Sequence, residues 1–102
     1  MAYMILWKFE VKEGREEEFE RMYGSKGDWA RLFATGAGYR GTKLYRDAEK
    51  KGRYVTRDEW ESKEAYERFV AENRRKYETV DAAGEGLTMR ETKIGGFEVV
   101  DE

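Results

Sequence analysis

The feature that most constrains the fold is a strand that runs directly into a helix, with Ser62 at the junction. Side chains alternate along Arg53–Glu61, so one face of this strand is mostly charged. The other face carries Tyr54, Thr56, Asp58 and Trp60. Ser62 can cap the following helix, in which the less polar residues recur at 66, 69, 70, 73, 77 and 80. The helix is therefore expected to cover the aromatic face of the strand.

The remaining segments complete an alternating order of strands and helices. Strands are predicted over Tyr3–Val11, over Tyr39–Arg46 and from Leu87 to Val100 with a bend at Gly95-Gly96. Helix is predicted over Arg15–Tyr23, and it restarts at Asp28 after a glycine-containing break. The order β-α-β-β-α-β predicts one α+β domain over residues 1–102. Its topology is the ferredoxin-like split βαβ, an antiparallel sheet with both helices on one face.

The second face of this sheet lacks a cover within the chain. It carries Leu6 and either Leu44 or Val55 among charged residues. A two-fold dimer that pairs the sheet faces would bury these apolar side chains, so we expect a homodimer. The alternative is a monomer whose sheet has one solvated face, which antiparallel sheets tolerate.

The composition removes several classes of function. There is no Cys and no His, which excludes thiolate nucleophiles, Ser-His pairs and the commonest metal ligand. No D-x-D-x-D-G loop is present, so we expect no metal site. The 20 basic and 22 acidic residues are interleaved, which argues against nucleic-acid binding. With no long apolar run and no basic-then-apolar leader, we expect no membrane partner and a cytoplasmic location.

The space between the sheet and the helices is the expected site. The residues predicted to line it are Trp7, Phe9, Trp29, Phe33, Tyr54, Thr56, Asp58, Trp60, Phe69, Asn73 and Tyr77. Such a set is typical of a small-molecule pocket, or of aromatic side chains that simply pack against one another. Asp58 is the informative member, because an inward carboxylate is costly unless it is hydrogen-bonded, paired or used. It is either a satisfied structural group or a general base whose pKa is raised by burial.

Three stretches of the chain carry a family resemblance. They are Val11–Phe19 (VKEGREEEF), Gly38-Tyr39, and the segment from Arg53-Tyr54 through Asp58 and Trp60-Glu61-Ser62 to Glu64-Ala65-Tyr66. In this order they resemble the antibiotic biosynthesis monooxygenase family of the dimeric α/β-barrel superfamily. The haem-degrading members differ, since they have a histidine at the position of Phe69 and an asparagine at that of Trp7. Haem degradation is therefore disfavoured.

The resemblance implies a monooxygenase that needs no flavin, metal or other cofactor. In such enzymes an electron-rich phenol or quinol, once deprotonated, reduces dioxygen itself. By this resemblance Asp58 would be the base, while Asn73, Tyr54 or the N–H of Trp60 would steady the anion. The resemblance also implies a homodimer that pairs its sheets into a barrel. The alternative function is a non-catalytic dimeric protein that binds an apolar small molecule or has a structural role.

Overall fold

A computed structural model describes residues 1–101 and confirms the predicted fold class. Its elements are β1 (Tyr3–Val11), α1 (Glu16–Tyr23), α2 (Asp28–Phe33), β2 (Tyr39–Arg46), β3 (Arg53–Trp60), α3 (Lys63–Glu72), α4 (Arg74–Gly84), one 3₁₀ turn (Glu85–Leu87) and β4 (Thr88–Glu98). The strands form one antiparallel sheet in the order β2-β3-β1-β4. This is the ferredoxin-like arrangement, with the helices over one face of the sheet.

The strand register sets which side chains point towards the helices. Trp7 pairs with Thr56, and Ile5 pairs with Asp58, so these residues of β1 and β3 share the inner face. Burial alternates along β3, where the inward positions are buried and their neighbours are only half-buried. Leu44 of β2 also pairs with Thr56, which places it on the inner face rather than on the outer one. The outer face therefore carries Leu6 and Val55 but not Leu44.

The second helical segment is divided in two, where the sequence pattern predicted one continuous stripe. Ser62 caps α3 as predicted, because its hydroxyl oxygen accepts a hydrogen bond from the backbone N–H of Ala65 at 3.0 Å. The break is at Asn73, whose φ of −124° and ψ of 27° are not helical. The Asn73 side-chain amide donates to the carbonyl of Phe69 at 2.9 Å, a local bond of the kind that competes with regular helix.

The edge strand β4 contains the predicted irregularity. Leu6 pairs with Gly95 whereas Trp7 pairs with Lys93, so Ile94 is an extra residue in β4. Gly95 has a φ of 157°, which a residue without Cβ adopts readily. The strand ends at Glu98 rather than at Val100, although the N–H of Val99 still donates to the carbonyl of Ala2 at 2.8 Å.

The core is built largely from aromatic rings. Phe19 and Trp60 are fully buried, and the rings of Phe19 and Tyr23 stack with their centroids 4.2 Å apart. Phe33 meets both Trp60 and Phe69 edge-on at 5.7 Å. The contacts of Phe33 join the sheet to α2 and α3.

Candidate functional site

A cavity lies between the inner face of the sheet and the helices. It contains about 550 Å³ of empty space, counting the part that is continuous with solvent. The residues that line it are Ile5, Trp7, Phe9, Tyr23, Trp29, Phe33, Thr42, Thr56, Asp58, Tyr66, Tyr77, Asp81 and Glu91. Aromatic walls with a few convergent polar groups are typical of small-molecule sites. The structure thus brings seven of the sequence-predicted residues together around one space: Trp7, Phe9, Trp29, Phe33, Thr56, Asp58 and Tyr77.

Two predicted wall residues lie behind the cavity instead. Trp60 is fully buried, and its ring packs against those of Tyr39 at 5.3 Å and Phe69 at 5.3 Å. Phe69 is 3% exposed and is held in the same cluster by Phe33. Their rings fill the space under α3 so completely that neither reaches the void. The indole N–H of Trp60 has no hydrogen-bond partner within the described residues.

Two predicted polar residues are also placed elsewhere. The Tyr54 hydroxyl donates to Glu20 of α1 at 2.5 Å, so it points along the sheet away from Asp58. The Asn73 amide is used by the carbonyl of Phe69 at the junction of α3 and α4. Neither side chain lines the cavity. The hydrogen-bond donors in the cavity must therefore be other groups.

Asp58 is the buried polar centre of the cavity. Its residue is 9% exposed, and the hydroxyl of Thr42 donates to its Oδ1 at 2.6 Å. The Thr42 oxygen also lies 2.6 Å from the Tyr39 hydroxyl. Because the single Thr42 proton is committed to Asp58, Tyr39 is the donor in that second bond. The hydroxyls of Tyr39 and Thr42 therefore form a chain of hydrogen bonds that ends on the Asp58 carboxylate.

Burial raises the pKa of Asp58 from its usual value of 3.8 to about 6, although the Thr42 hydrogen bond opposes this rise. At neutral pH the group is then mostly ionised, yet it binds a proton far more readily than an exposed aspartate. Among the described residues, Thr42 is its one hydrogen-bond donor, which leaves the second carboxylate oxygen for a ligand. A carboxylate in this state can accept a proton from a phenol or from an activated C–H.

Tyrosine hydroxyls line the remainder of the cavity. Desolvation raises the pKa of Tyr23 to about 12, and it also raises the pKa of Tyr66 and of Tyr77. These hydroxyls consequently keep their protons at neutral pH, and that of Tyr23 donates to Glu91 Oε1 at 3.5 Å. Tyr66 and Tyr77 belong to the predicted helical stripe, but Tyr66 was not identified as a site residue from the sequence.

The open end of the cavity is acidic. Asp81 on α4 and Glu91 on β4 are both exposed and line the same space as the buried Asp58. Desolvation, followed by repulsion from Asp81, raises the pKa of Glu91. The sequence offered no signal for this pair, because the two residues come from elements that meet only in the folded chain. Across residues 1–101 no group of three or more acidic side chains is arranged to hold a metal ion.

Solved structures of other proteins superpose on nearly the whole chain. A mutant form of SnoaB, described as a cofactor-independent oxygenase from Streptomyces nogalater, superposes with a TM-score of 0.74 at 20% identity, covering 99% of this chain and 95% of that one. Rv0793 from Mycobacterium tuberculosis superposes with a TM-score of 0.71 at 15% identity, covering 100% and 98%. PA3566 from Pseudomonas aeruginosa has a TM-score of 0.69 at 16% identity, covering 98% and 95%. At these identities the likeness establishes the fold.

The sequence comparisons establish the family. No curated protein matches the chain significantly. In the described residues no helix is long and apolar enough to cross a membrane. The family model described as antibiotic biosynthesis monooxygenase matches residues 2–76, which include β1 to α3 and most of the cavity wall. The chain therefore belongs to the antibiotic biosynthesis monooxygenase family.

Proposed function

We propose that the protein is a cofactor-independent monooxygenase that oxidises a phenol- or quinol-like aromatic molecule in this cavity. The observation that carries the proposal is the buried Asp58, which faces an aromatic cavity and accepts a hydrogen bond from Thr42. The family membership and the fold shared with SnoaB, a cofactor-independent oxygenase, support the same reaction class.

In the proposed reaction Asp58 removes a proton from the bound substrate and becomes a carboxylic acid. The substrate anion is then the reductant and dioxygen is the oxidant. Where a ring CH₂ becomes a carbonyl, one atom of dioxygen stays on that carbon and the other leaves as water, so the substrate supplies all four electrons. The protein contributes the base, the exclusion of water and donors for the anionic oxygen.

The donors come from a different set of residues than the sequence predicted. Tyr66 and Tyr77 line the cavity with hydroxyls that stay protonated, so they replace Tyr54 and Asn73 as groups that steady the anion. Thr42 orients Asp58, because its hydroxyl donates a hydrogen bond to Oδ1 and leaves the second carboxylate oxygen for the substrate. Thr42 is therefore a positioning residue, and Asp58 is the catalytic one.

A second candidate is a non-catalytic protein that binds an apolar small molecule. The 2.6 Å hydrogen bond from Thr42 to Asp58 favours this second candidate, because a carboxylate with a purely structural role would accept such a bond. The two candidates differ in whether dioxygen is consumed.

We expect purified, metal-free protein to consume dioxygen with at least one member of a panel of hydroquinones, anthrones and catechols. Asp58→Asn should lower the rate by about 10²-fold to 10⁴-fold, the usual contribution of a general base. Asp101→Asn is the matched control, because it removes one exposed carboxylate outside the sheet. A rate in Asp58→Asn equal to that of the control would contradict the proposed role, and no uptake with any panel member would favour the binding protein.

We further propose that the outer face of the sheet pairs with that of a second copy. Apolar side chains on this face include Tyr45 and Phe97, which are 44% and 43% exposed, next to the half-buried Leu6 and Val55. Single scattered apolar residues need no cover, but a patch that extends across all four strands does. A two-fold dimer would bury this patch against itself.

The substitution Leu6→Lys tests this dimer. Leu6 pairs in register with Arg57, so the new ammonium group would add a second positive charge at the centre of the face. We expect the dimer dissociation constant to rise by about 100-fold, because each dimer would bury two further charges. Sedimentation of the unaltered protein should give about twice the 12.1 kDa mass of one chain. Ala71→Glu, on the exposed side of α3, should leave the dimer intact, and a monomeric unaltered protein would refute the pairing.

A further inference from the structure

Helix α4 forms one side of the open end of the cavity. Its residues Tyr77 and Asp81, about one turn apart, line the cavity, and Glu91 of β4 lines the same end. Strand β4 is fixed there by its antiparallel pairing with β1. Helix α4 has no comparable support, because only Gly84 of its 11 residues is buried. It is therefore the wall of the cavity that the rest of the fold holds least.

The sequence of α4 also lacks the local features that stabilise a helix. No side chain caps its N-terminus, and its first turn carries Arg74, Arg75 and Lys76, whose positive charges oppose the helix dipole. The preceding helix α3 has the opposite arrangement, with the Ser62 cap and the acidic Glu64 in its first turn. Of these two consecutive helices, α4 thus depends more on its contacts with the rest of the protein.

Tyr77 makes specific contacts between α4 and the other helices of the cavity wall. Its ring meets the Trp29 ring of α2 edge-on at 4.8 Å. Desolvation raises the pKa of Tyr77, and hydrogen bonding with the Tyr66 hydroxyl of α3 partly offsets this rise. One side chain in the first turn of α4 thereby joins this helix to both α2 and α3.

Few other contacts hold α4 in place. Val80 is half-buried against the aromatic core. Within residues 1–101 no ion pair joins α4 to another element. The Thr79 hydroxyl donates to the Arg75 carbonyl at 3.0 Å, a bond that lies inside α4 and moves with it. Separation of α4 from the cavity would break the contacts of Tyr77 and Val80 but no ion pair.

Both ends of α4 have the backbone of a hinge. The helix begins after Asn73, whose φ of −124° and ψ of 27° are not helical. It ends at Gly84, which packs so closely on α1 that a Cβ would lie 2.6 Å from the Tyr23 hydroxyl oxygen. Gly86 follows in the 3₁₀ turn, with no atom within 4 Å of the place of its missing Cβ. A few such residues at the ends of an element are enough to let it move as a unit.

We propose that α4 is the lid of the cavity, which opens between Asn73 and Gly84 to admit a ring-containing ligand and closes when Tyr77 returns to Trp29. The inference rests on the proposed function in one respect, because closure would exclude water from the substrate anion beside Asp58. The family match ends at residue 76, so most of this lid lies in a part of the chain that the match does not include.

Hydrogen exchange of the intact protein, without any ligand, tests the lid. After correction for the intrinsic rate of each amide, we expect α4 to exchange at least about tenfold faster than α3, because α4 opens alone. Tyr77→Leu should speed the exchange of α4 about fivefold further and leave α3 unchanged. Tyr77→Phe keeps the ring contact with Trp29 and should have a smaller effect. Equal protection of α3 and α4 would overturn the inference.

A substitution in the first turn should have the opposite effect on the lid. Arg75→Glu places a negative charge at the positive end of the helix dipole and should slow the exchange of α4 about threefold. Lys51→Glu makes the same change of charge in the exposed turn between β2 and β3, and it should leave the exchange of α4 unaltered. If α4 responded to neither Tyr77→Leu nor Arg75→Glu, the lid would be refuted.

A reversible tether tests whether opening admits the substrate. The chain has no Cys, so Asp81→Cys with Glu91→Cys supplies the only two thiols, one on α4 and one on β4. A bis-methanethiosulfonate reagent that joins them should slow dioxygen uptake at least about tenfold with any panel compound that is oxidised, and a reductant should restore the rate. Methyl methanethiosulfonate, which caps the same thiols without joining them, is the control. Equal rates of the tethered and the capped protein would contradict the lid.

The two measurements keep this inference separate from the proposed function. If α4 exchanges by opening alone but no panel compound consumes dioxygen, the lid is supported and the monooxygenase is not. If dioxygen is consumed in an Asp58-dependent way while α4 is as protected as α3, the monooxygenase stands and the lid is overturned.

Discussion

Asp58→Asn is expected to stabilise the protein at pH 8 while lowering its activity. Burial raises the folded-state pKa of Asp58 from 3.8 to about 6, so the ionised carboxylate is less favourable in the folded chain than in the unfolded one. A rise of this size corresponds to a cost of about 3 kcal/mol, which is fully present above pH 6 and absent below pH 3.8. Asparagine has no charge to desolvate and keeps an oxygen that can accept the Thr42 hydrogen bond.

Denaturant unfolding at pH 8 and at pH 4 measures this effect. We expect a gain in the free energy of unfolding of about 1 to 3 kcal/mol at pH 8 but of only about 0.5 kcal/mol at pH 4, where Asp58 is protonated in the folded chain and still partly ionised in the unfolded one. Asp101→Asn should change the stability at neither pH, because that residue is exposed. Protein concentration must be fixed, since a dimer makes the apparent stability depend on it.

The sign of the change separates the two roles of Asp58. A carboxylate kept for stability should cost free energy when it is replaced, as paired structural groups do. If the carboxylate serves proton transfer, the same substitution should raise the free energy of unfolding, because active sites carry groups that the fold alone would not favour. A loss of stability in Asp58→Asn at pH 8 would therefore argue for the structural role.

The sequence predicted the inner face of β3 correctly because strand alternation has a fixed period. Thr56, Asp58 and Trp60 all lie on the face that the pattern assigned to them, and all are buried. The alternation could not predict which of these residues would line the cavity. That outcome depends on how large rings from different elements fit together, and Trp60 is enclosed by Phe33, Phe69 and Tyr39.

Strand alternation alone could not predict that Thr42 and Tyr39 would be the polar neighbours of Asp58. The register between β2 and β3 shifts between Tyr39 and Gly41, so both Tyr39 and Thr42 face inward although they are three residues apart. Simple alternation would have put them on opposite faces. A similar local effect places Asn73, whose side-chain amide donates to the carbonyl of Phe69 where the helix breaks.

Thr42→Val is expected to have a cost that depends on the charge of Asp58. Valine keeps the shape of threonine but leaves the ionised carboxylate without its one hydrogen-bond donor among the described residues. A hydrogen bond to a charged group is worth about 1.5 to 3 kcal/mol, against about 1 kcal/mol for a neutral pair. We therefore expect Thr42→Val to lower the free energy of unfolding by about 2 to 3 kcal/mol at pH 8 in the unaltered protein, and by about 1 kcal/mol in the Asp58→Asn background.

The same substitution should change how activity depends on pH. The Thr42 hydrogen bond lowers the pKa of Asp58, so its removal raises that pKa further and moves the rise of the rate towards higher pH. The plateau at high pH should be retained better than the rate at pH 6.5, because the base is still present once it is ionised. Thr56→Val is the matched control: Thr56 is 4% exposed and lines the same cavity, but it makes no hydrogen bond to Asp58. Equal energetic costs of Thr42→Val in the two backgrounds, with an unmoved pH profile, would mean that Thr42 does not tune the carboxylate.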